Sequence, residues 1–162
     1  METIETPKRA LVVMAHPDDA EFGGAGTIAR WVREGAEVVY VQCTDGGRGS
    51  GDPEMTSERL VKIREREQQD AAAVLGVKEV VFLRYPDGEL EDTRDLRKEI
   101  VRQIRRCRPD YLLTSDPFRR NGHQHRDHRM AGQVTLDACF PYARDRLHYP
   151  ELEREGIASH KV

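Results

Sequence analysis

No stretch of this 162-residue chain approaches the roughly 18 consecutive apolar residues of a membrane span, and the N-terminal METIETPKRA has no apolar signal core. The expectation is a protein that neither crosses a membrane nor is secreted by a standard signal. Cysteine is scarce: Cys43, Cys107 and Cys139 are an odd number, widely spaced, with no C-x-x-C pair. That argues against a disulfide framework and for a reduced, cytoplasmic setting. Positive charge is not in excess. The formal net charge is -3, so nothing draws the chain to nucleic acid or to an anionic membrane. The local cluster Arg102, Arg105, Arg106 and Arg108 reads as one solvated helix face. Internal repeats and low-complexity segments are absent as well.

What is present suits one compact domain spanning 1–162, with 38% apolar and 34% charged residues. Four short apolar runs, ALVVMA (10–15), EVVYVQC (37–43), EVVFLRY (79–85) and DYLLTS (110–115), read as strands buried on both faces. Helical patterns lie between and after them. Residues 25–34 carry Ile28, Trp31 and Val32 and stop at Gly35. Residues 57–75 open with Ser57 and stop before Gly76. Residues 93–107 open with Thr93 and place Leu96, Ile100 and Ile104 on one stripe, and 126–139 form a fourth helix. Alternating strands and helices predict a Rossmann-like three-layer α/β/α fold with a mainly parallel sheet. Connections into strands are short, whereas those leaving them are long and polar. In open sheets of this kind ligands bind outside the carboxyl ends of the strands.

Two of those loops carry unusual chemistry. In LVVMAHPDDAEFGGAG, residues 11–26, a buried strand runs into His16, Asp18, Asp19 and Glu21. Clustered carboxylates beside a core are costly unless something positive sits among them. The loop after the fourth strand holds His125 and His128, three apart and so on one helix face. His16 and Asp19 with one of these histidines supply three N/O ligands and leave a coordination position open, the pattern of a catalytic zinc site. A cation also makes the carboxylate cluster favourable. Asp18, beside a ligand but pointing elsewhere, is the candidate to take a proton from water. On the 57–75 helix the inward stripe reads Leu60, Ile63, Ala71, Val74 and Leu75, with Arg64 and Glu67 inside it. Arg64 either pairs with a structural carboxylate or reaches a ligand, and Asp87 in YPDG either forms a turn or contacts a ligand. GGAG does not satisfy G-x-G-x-x-G, so its glycines read as close packing of helix on sheet rather than as a nucleotide site.

Together AHPDDAE, the R-x-x-E helix leading to LGV, LRYPDG, PDYLLTSDP and HRDHRMAG resemble the LmbE/PIG-L family of metal-dependent N-deacetylases from about Ala10 onward. The resemblance implies zinc, or iron(II) or another divalent cation, held by His16, Asp19 and His128. It implies Asp18 as general base, His125 polarising or protonating at the scissile amide, and Asp127 orienting His125. Arg64 and Asp87 would hold the sugar, and His123 occupies the substrate-side place where some relatives carry an aromatic residue. The implied substrate is a small N-acetylated amino sugar or glycoconjugate. Homo-oligomerisation stays open. Relatives usually extend beyond 162 residues, so the chain reads as one such domain without the family's C-terminal part. A sugar- or metal-binding module without turnover and a nucleotide-binding Rossmann-like domain are the alternatives.

Overall fold

The computed structural model describes residues 4–122 and 124–162. Four parallel strands form one sheet in the order β3-β2-β1-β4: β1 (Arg9–Met14), β2 (Glu37–Thr44), β3 (Glu79–Tyr85) and β4 (Tyr111–Thr114). Helices α1 (Asp19–Arg33), α2 (Ser57–Leu75), α3 (Arg94–Cys107) and α4 (Arg126–Asp137) alternate with them. An irregular π-helical segment (Ala138–Ala143), kinked at Phe140, and a short α5 (Pro150–Arg154) follow.

The central strand explains why its sequence is an unbroken apolar run. Leu11 pairs with Val39 on one side and Leu112 on the other. Leu11 and Val13 then face the core under α3 and α4, while Ala10, Val12 and Met14 face the core with Ile28 and Trp31 of α1. Both faces are covered, so no alternation with polar residues survives. The expectation of two-sided burial holds for β1 and β2 but not for β3 and β4, whose side chains are mostly half-buried because they lie at the edges.

Three local expectations are corrected. Helix α1 starts at Asp19, so the glycines lie inside it. Only Gly24 comes close to the sheet, where an added Cβ would sit 3.9 Å from Leu113, while Gly23 and Gly26 face open space. Helix α2 spans Ser57–Leu75 as expected, and the Thr56 hydroxyl caps it by accepting from the Arg59 amide. Its buried line is Leu60, Gln68 and Ala72, whereas Ile63, Glu67 and Val74 are exposed. The arginine cluster is not one solvated face. Arg105 is 2% exposed and donates to the carbonyls of Tyr142, Ala143, Asp145 and His148, tying α3 to the segment before α5. Arg102 pairs with Glu155 and Arg106 with Glu79.

Helix α4 is seated against the β4 loop through one residue. A Cβ at Gly132 would stand 2.2 Å from the Ser115 carbonyl oxygen and 3.0 Å from Pro117 Cδ. Gly132→Ala is therefore expected to destabilise by about 1–3 kcal/mol through overpacking, despite alanine's better helix propensity. A thermal melt showing equal or higher stability would contradict that seating.

Candidate functional site

The ends of β1 and β4 lie side by side where the strand order reverses, the place at which open α/β sheets form their crevice. The chain leaving β1 turns into α1 and carries His16 and Asp19. The chain leaving β4 turns into α4 and carries His125, Asp127 and His128. His16 Nδ1 stands 3.2 Å from His128 Nε2 and 3.5 Å from Asp19 Oδ2, and His128 Nε2 stands 3.1 Å from Asp19 Oδ1. A tetrahedral zinc site with ligand bonds of about 2.0–2.2 Å has donor-to-donor edges of about 3.3–3.6 Å. Asp19 turns one oxygen to each imidazole at distances close to these, so the three residues converge tightly enough to hold a small divalent cation.

The other nitrogen of His16 supports the fit. His16 Nε2 lies 3.1 Å from Asp87 Oδ1 and 3.3 Å from Asp127 Oδ2. Two carboxylates there hold the ring proton on Nε2 and leave the Nδ1 lone pair for a cation, the usual arrangement behind a metal-ligating histidine. Both carboxylates are themselves fixed. Asp127, 0% exposed, accepts from the amides of Gly88 (2.7 Å) and Leu90 (3.2 Å). Asp87 accepts from the Arg48 amide (3.0 Å), and its own amide donates to Asp45 Oδ1 (3.2 Å). Loops after β2 and β3 thus brace a histidine that follows β1.

The electrostatics follow from this packing. Burial would raise the Asp19 carboxyl, but hydrogen bonds from His128, His16 and the His16 amide hold it far below the usual carboxylate range. Burial would lower the His16 imidazole, but the Asp19 hydrogen bond and the charges of Asp19, Asp87 and Asp127 outweigh it and raise the pKa. Cys43 lies beneath the site as a neutral thiol: burial, with the charges of Asp127 and Asp19, pushes it up to about 12. It is no thiolate ligand.

His125, Asp127 and His16 also offer ligand atoms within 4.8 Å of one another. That grouping is the poorer metal site, because Asp127 is already occupied by two amides and the His125 Nδ1 accepts from the Asp127 amide at 3.1 Å. The last bond has a use. A neutral His125 that accepts at Nδ1 carries its proton on Nε2 and presents a donor. His125 is exposed, with its ring 4.6 Å from that of His16 and 5.4 Å from that of His128.

The remaining expected residues sort as follows. Asp127 meets His125 through its backbone amide, which donates to the His125 Nδ1, while its carboxylate is turned to His16. Asp87 is turned inward against His16, its side chain 11% exposed, rather than open toward a sugar. Arg64, half-buried, does not pair with Glu67. Its Nη2 donates to Asp18 Oδ2 (2.9 Å) and to the Pro17 carbonyl, so it ends on the candidate base. His123 lies outside the described residues. Gln68, Asp45 and the amides of Gly88 and Leu90 were not singled out from sequence. Gln68 sits one helical turn after Arg64 and Asp45 follows the second strand, but neither position carries a chemical signature by itself.

A cleft of about 820 Å³ opens beside Asp19 and His128, bordered by Phe22, Ser115, Asp116 and Phe118. That volume lies within the roughly 300–1,000 Å³ of small-molecule sites. No helix among the described residues is long and apolar enough to cross a membrane.

Comparison with known proteins gives the family. Residues 11–139 match the family model described as PIG-L: GlcNAc-PI de-N-acetylase. The chain is 40% identical over 138 residues to the diacetylchitobiose deacetylase of Thermococcus kodakarensis, covering 85% of this chain and 51% of that protein. It superposes with a TM-score of 0.91 and 31% identity on the N,N'-diacetylchitobiose deacetylase of Pyrococcus horikoshii solved with its inhibitor MPG, covering 96% of this chain and 58% of that one. It also matches GalB, the 4-carboxy-2-hydroxymuconate hydratase of Pseudomonas putida KT2440, with a TM-score of 0.75, 27% identity and coverage of 86% and 58%. The chain spans about half the length of the curated relatives it matches. With that match covering most of its length and its histidines and aspartates converging at the sheet's switch point, the chain belongs to the PIG-L family.

Proposed function

We propose that this chain is the catalytic region of a zinc-dependent amidohydrolase that removes the acetyl group from an N-acetylglucosamine-type amino sugar or conjugate, releasing acetate. The observation that carries the reading is the convergence of His16, Asp19 and His128 beside an open cleft, with His16 braced by Asp87 and Asp127. The deacetylase relatives supply the substrate class. A divalent cation held by these three side chains supplies Lewis-acid polarisation of the acetyl carbonyl and makes water acidic enough to attack.

The chain's own residues do the rest. Asp18 takes a proton from the attacking water, its carboxylate held in place by Arg64. His125, with its donor at Nε2, stabilises the negative charge that develops on the carbonyl oxygen. Asp87 and Asp127 keep His16 in its ligating tautomer. Phe22 and Phe118, 89% and 70% exposed, offer flat apolar faces at the cleft for a sugar ring. The reading places the enzyme in the cytoplasm, with no demand for a membrane or nucleic acid partner.

Purified protein loaded with zinc is expected to release one free amine and one acetate per turnover from N-acetylglucosamine or diacetylchitobiose, and an amine-reactive dye measures this directly. Hydration of an unsaturated carboxylate is the second reading, favoured by the match to GalB. Hydration activity without amine release on any N-acetylated sugar would replace the deacetylase reading.

A further inference from the structure

Asp18 adopts a backbone conformation that nothing in its own turn requires. Its φ is 87°, a left-handed value that non-glycine residues seldom take. It stands at the N-cap of α1, where an aspartate normally accepts from the helix amides, yet its side chain makes no cap bond. The carboxylate is turned to Arg64 instead. What holds this arrangement comes from α2. The peptide unit joining Pro17 to Asp18 is gripped at both ends: its carbonyl accepts from Arg64, and its N–H donates to Gln68 Oε1 at 2.8 Å. Arg64 and Gln68 are four residues apart and so share a helix face.

Gln68 is built into that position in one orientation. It is 1% exposed. Its Oε1 accepts a second bond from Gln42 Nε2 (3.1 Å), and its Nε2 donates to Glu21 Oε1 (3.0 Å). Turned over, its NH2 would face two donors and its oxygen a carboxylate, so the amide cannot flip. Burying Gln42 and Gln68 beside the half-buried Glu21 costs desolvation that an apolar residue at 68 would avoid. An apolar side chain would fill the space but leave the Asp18 amide unmatched.

We propose that Gln68 is a positioning residue for the Asp18 base. By accepting from the Asp18 amide it sets the plane of the Pro17–Asp18 peptide, and with it the direction in which the carboxylate leaves the chain. This rests on the assignment of Asp18 as base. Displacement of a reacting group by about 1 Å costs up to about 100-fold in rate.

The test uses Gln68→Met, close in size and without donor or acceptor. It is expected to lower kcat at least about 10-fold with KM and zinc content unchanged, and to speed hydrogen exchange of the Asp18 amide read by NMR. In an Asp18→Asn background the same substitution is expected to leave the residual kcat unchanged, because there is no base left to aim. A merely structural residue would lower kcat by the same factor in both backgrounds, and that result overturns the proposal. So does full kcat in Gln68→Met beside a low kcat in Asp18→Asn. Full kcat in Asp18→Asn itself removes the base assignment and the proposal with it. Should Gln68→Met fail to fold, the exchange Gln68→Glu with Glu21→Gln keeps an acceptor facing the Asp18 amide and a matched donor at position 21, and is expected to retain more kcat than Gln68→Leu; the reverse order overturns the proposal.

Discussion

His128→Ala is expected to lose tight zinc binding and, with it, amine release, while remaining folded. His128 is part-exposed on the first turn of α4, and its ring serves Asp19 and His16 rather than the core. Loss of a carboxylate that merely orients a ligand costs about 10–100-fold in metal affinity. Loss of one of three ligands should exceed that, and Asp87→Asn should fall within it. His125→Ala should keep its zinc, because its Nδ1 is already engaged by the Asp127 amide. Metal analysis after desalting decides the matter, and full occupancy in His128→Ala would overturn the ligand set. The metal-free protein supplies a companion readout. Its His16 is raised, with the carboxylates around it overcoming burial. A raised histidine contributes stability below its unfolded value, about 6.5, that is lost as pH climbs through the folded value. The metal-free protein is therefore expected to lose stability as pH climbs above about 6.5, and added zinc to restore it.

Asp18→Asn is expected to lower kcat by about 100-fold or more, the ordinary contribution of a general base, with zinc content unchanged. Asparagine is the better substitution here than alanine. At φ 87° aspartate and asparagine are tolerated, whereas an alanine in the left-handed region costs about 1–2 kcal/mol. Asp18→Ala would thus mix a backbone penalty with the loss of the base. Its lower melting temperature would say nothing about catalysis. Zinc loss in Asp18→Asn would make Asp18 a ligand, and an unchanged rate would move the base elsewhere.

The elements were readable because their signals are local. The run ALVVMA, short and rich in valine between turn residues, reads as a strand covered on both faces, and Leu96, Ile100 and Ile104 at helical spacing read as one buried stripe. His16 and Asp19 were readable as a pair because three residues of separation in one turn bring their atoms together whatever the rest of the chain does. The long polar loops after each strand told which edge of the sheet would carry chemistry.

Other features depended on residues far apart in the chain. Arg105 sits among arginines that look alike in sequence, and it is buried only because the carbonyls of 142–148 close over it. Asp87 and Asp127 stand 40 positions apart, and each is consistent with a turn or a cap until the loop after β3 brings them to one imidazole nitrogen. Gln68 is one polar residue in the run REREQQD, and only the packing of α2 beside the first turn places its amide under Asp18. Composition, periodicity and short-range spacing thus determined the layers, the edge of the sheet that carries the polar loops and two of the three proposed metal ligands. Hydrogen-bond direction decided which carboxylate braces which ring, because a buried donor or acceptor must be matched by whatever group the fold brings to it, near in sequence or not.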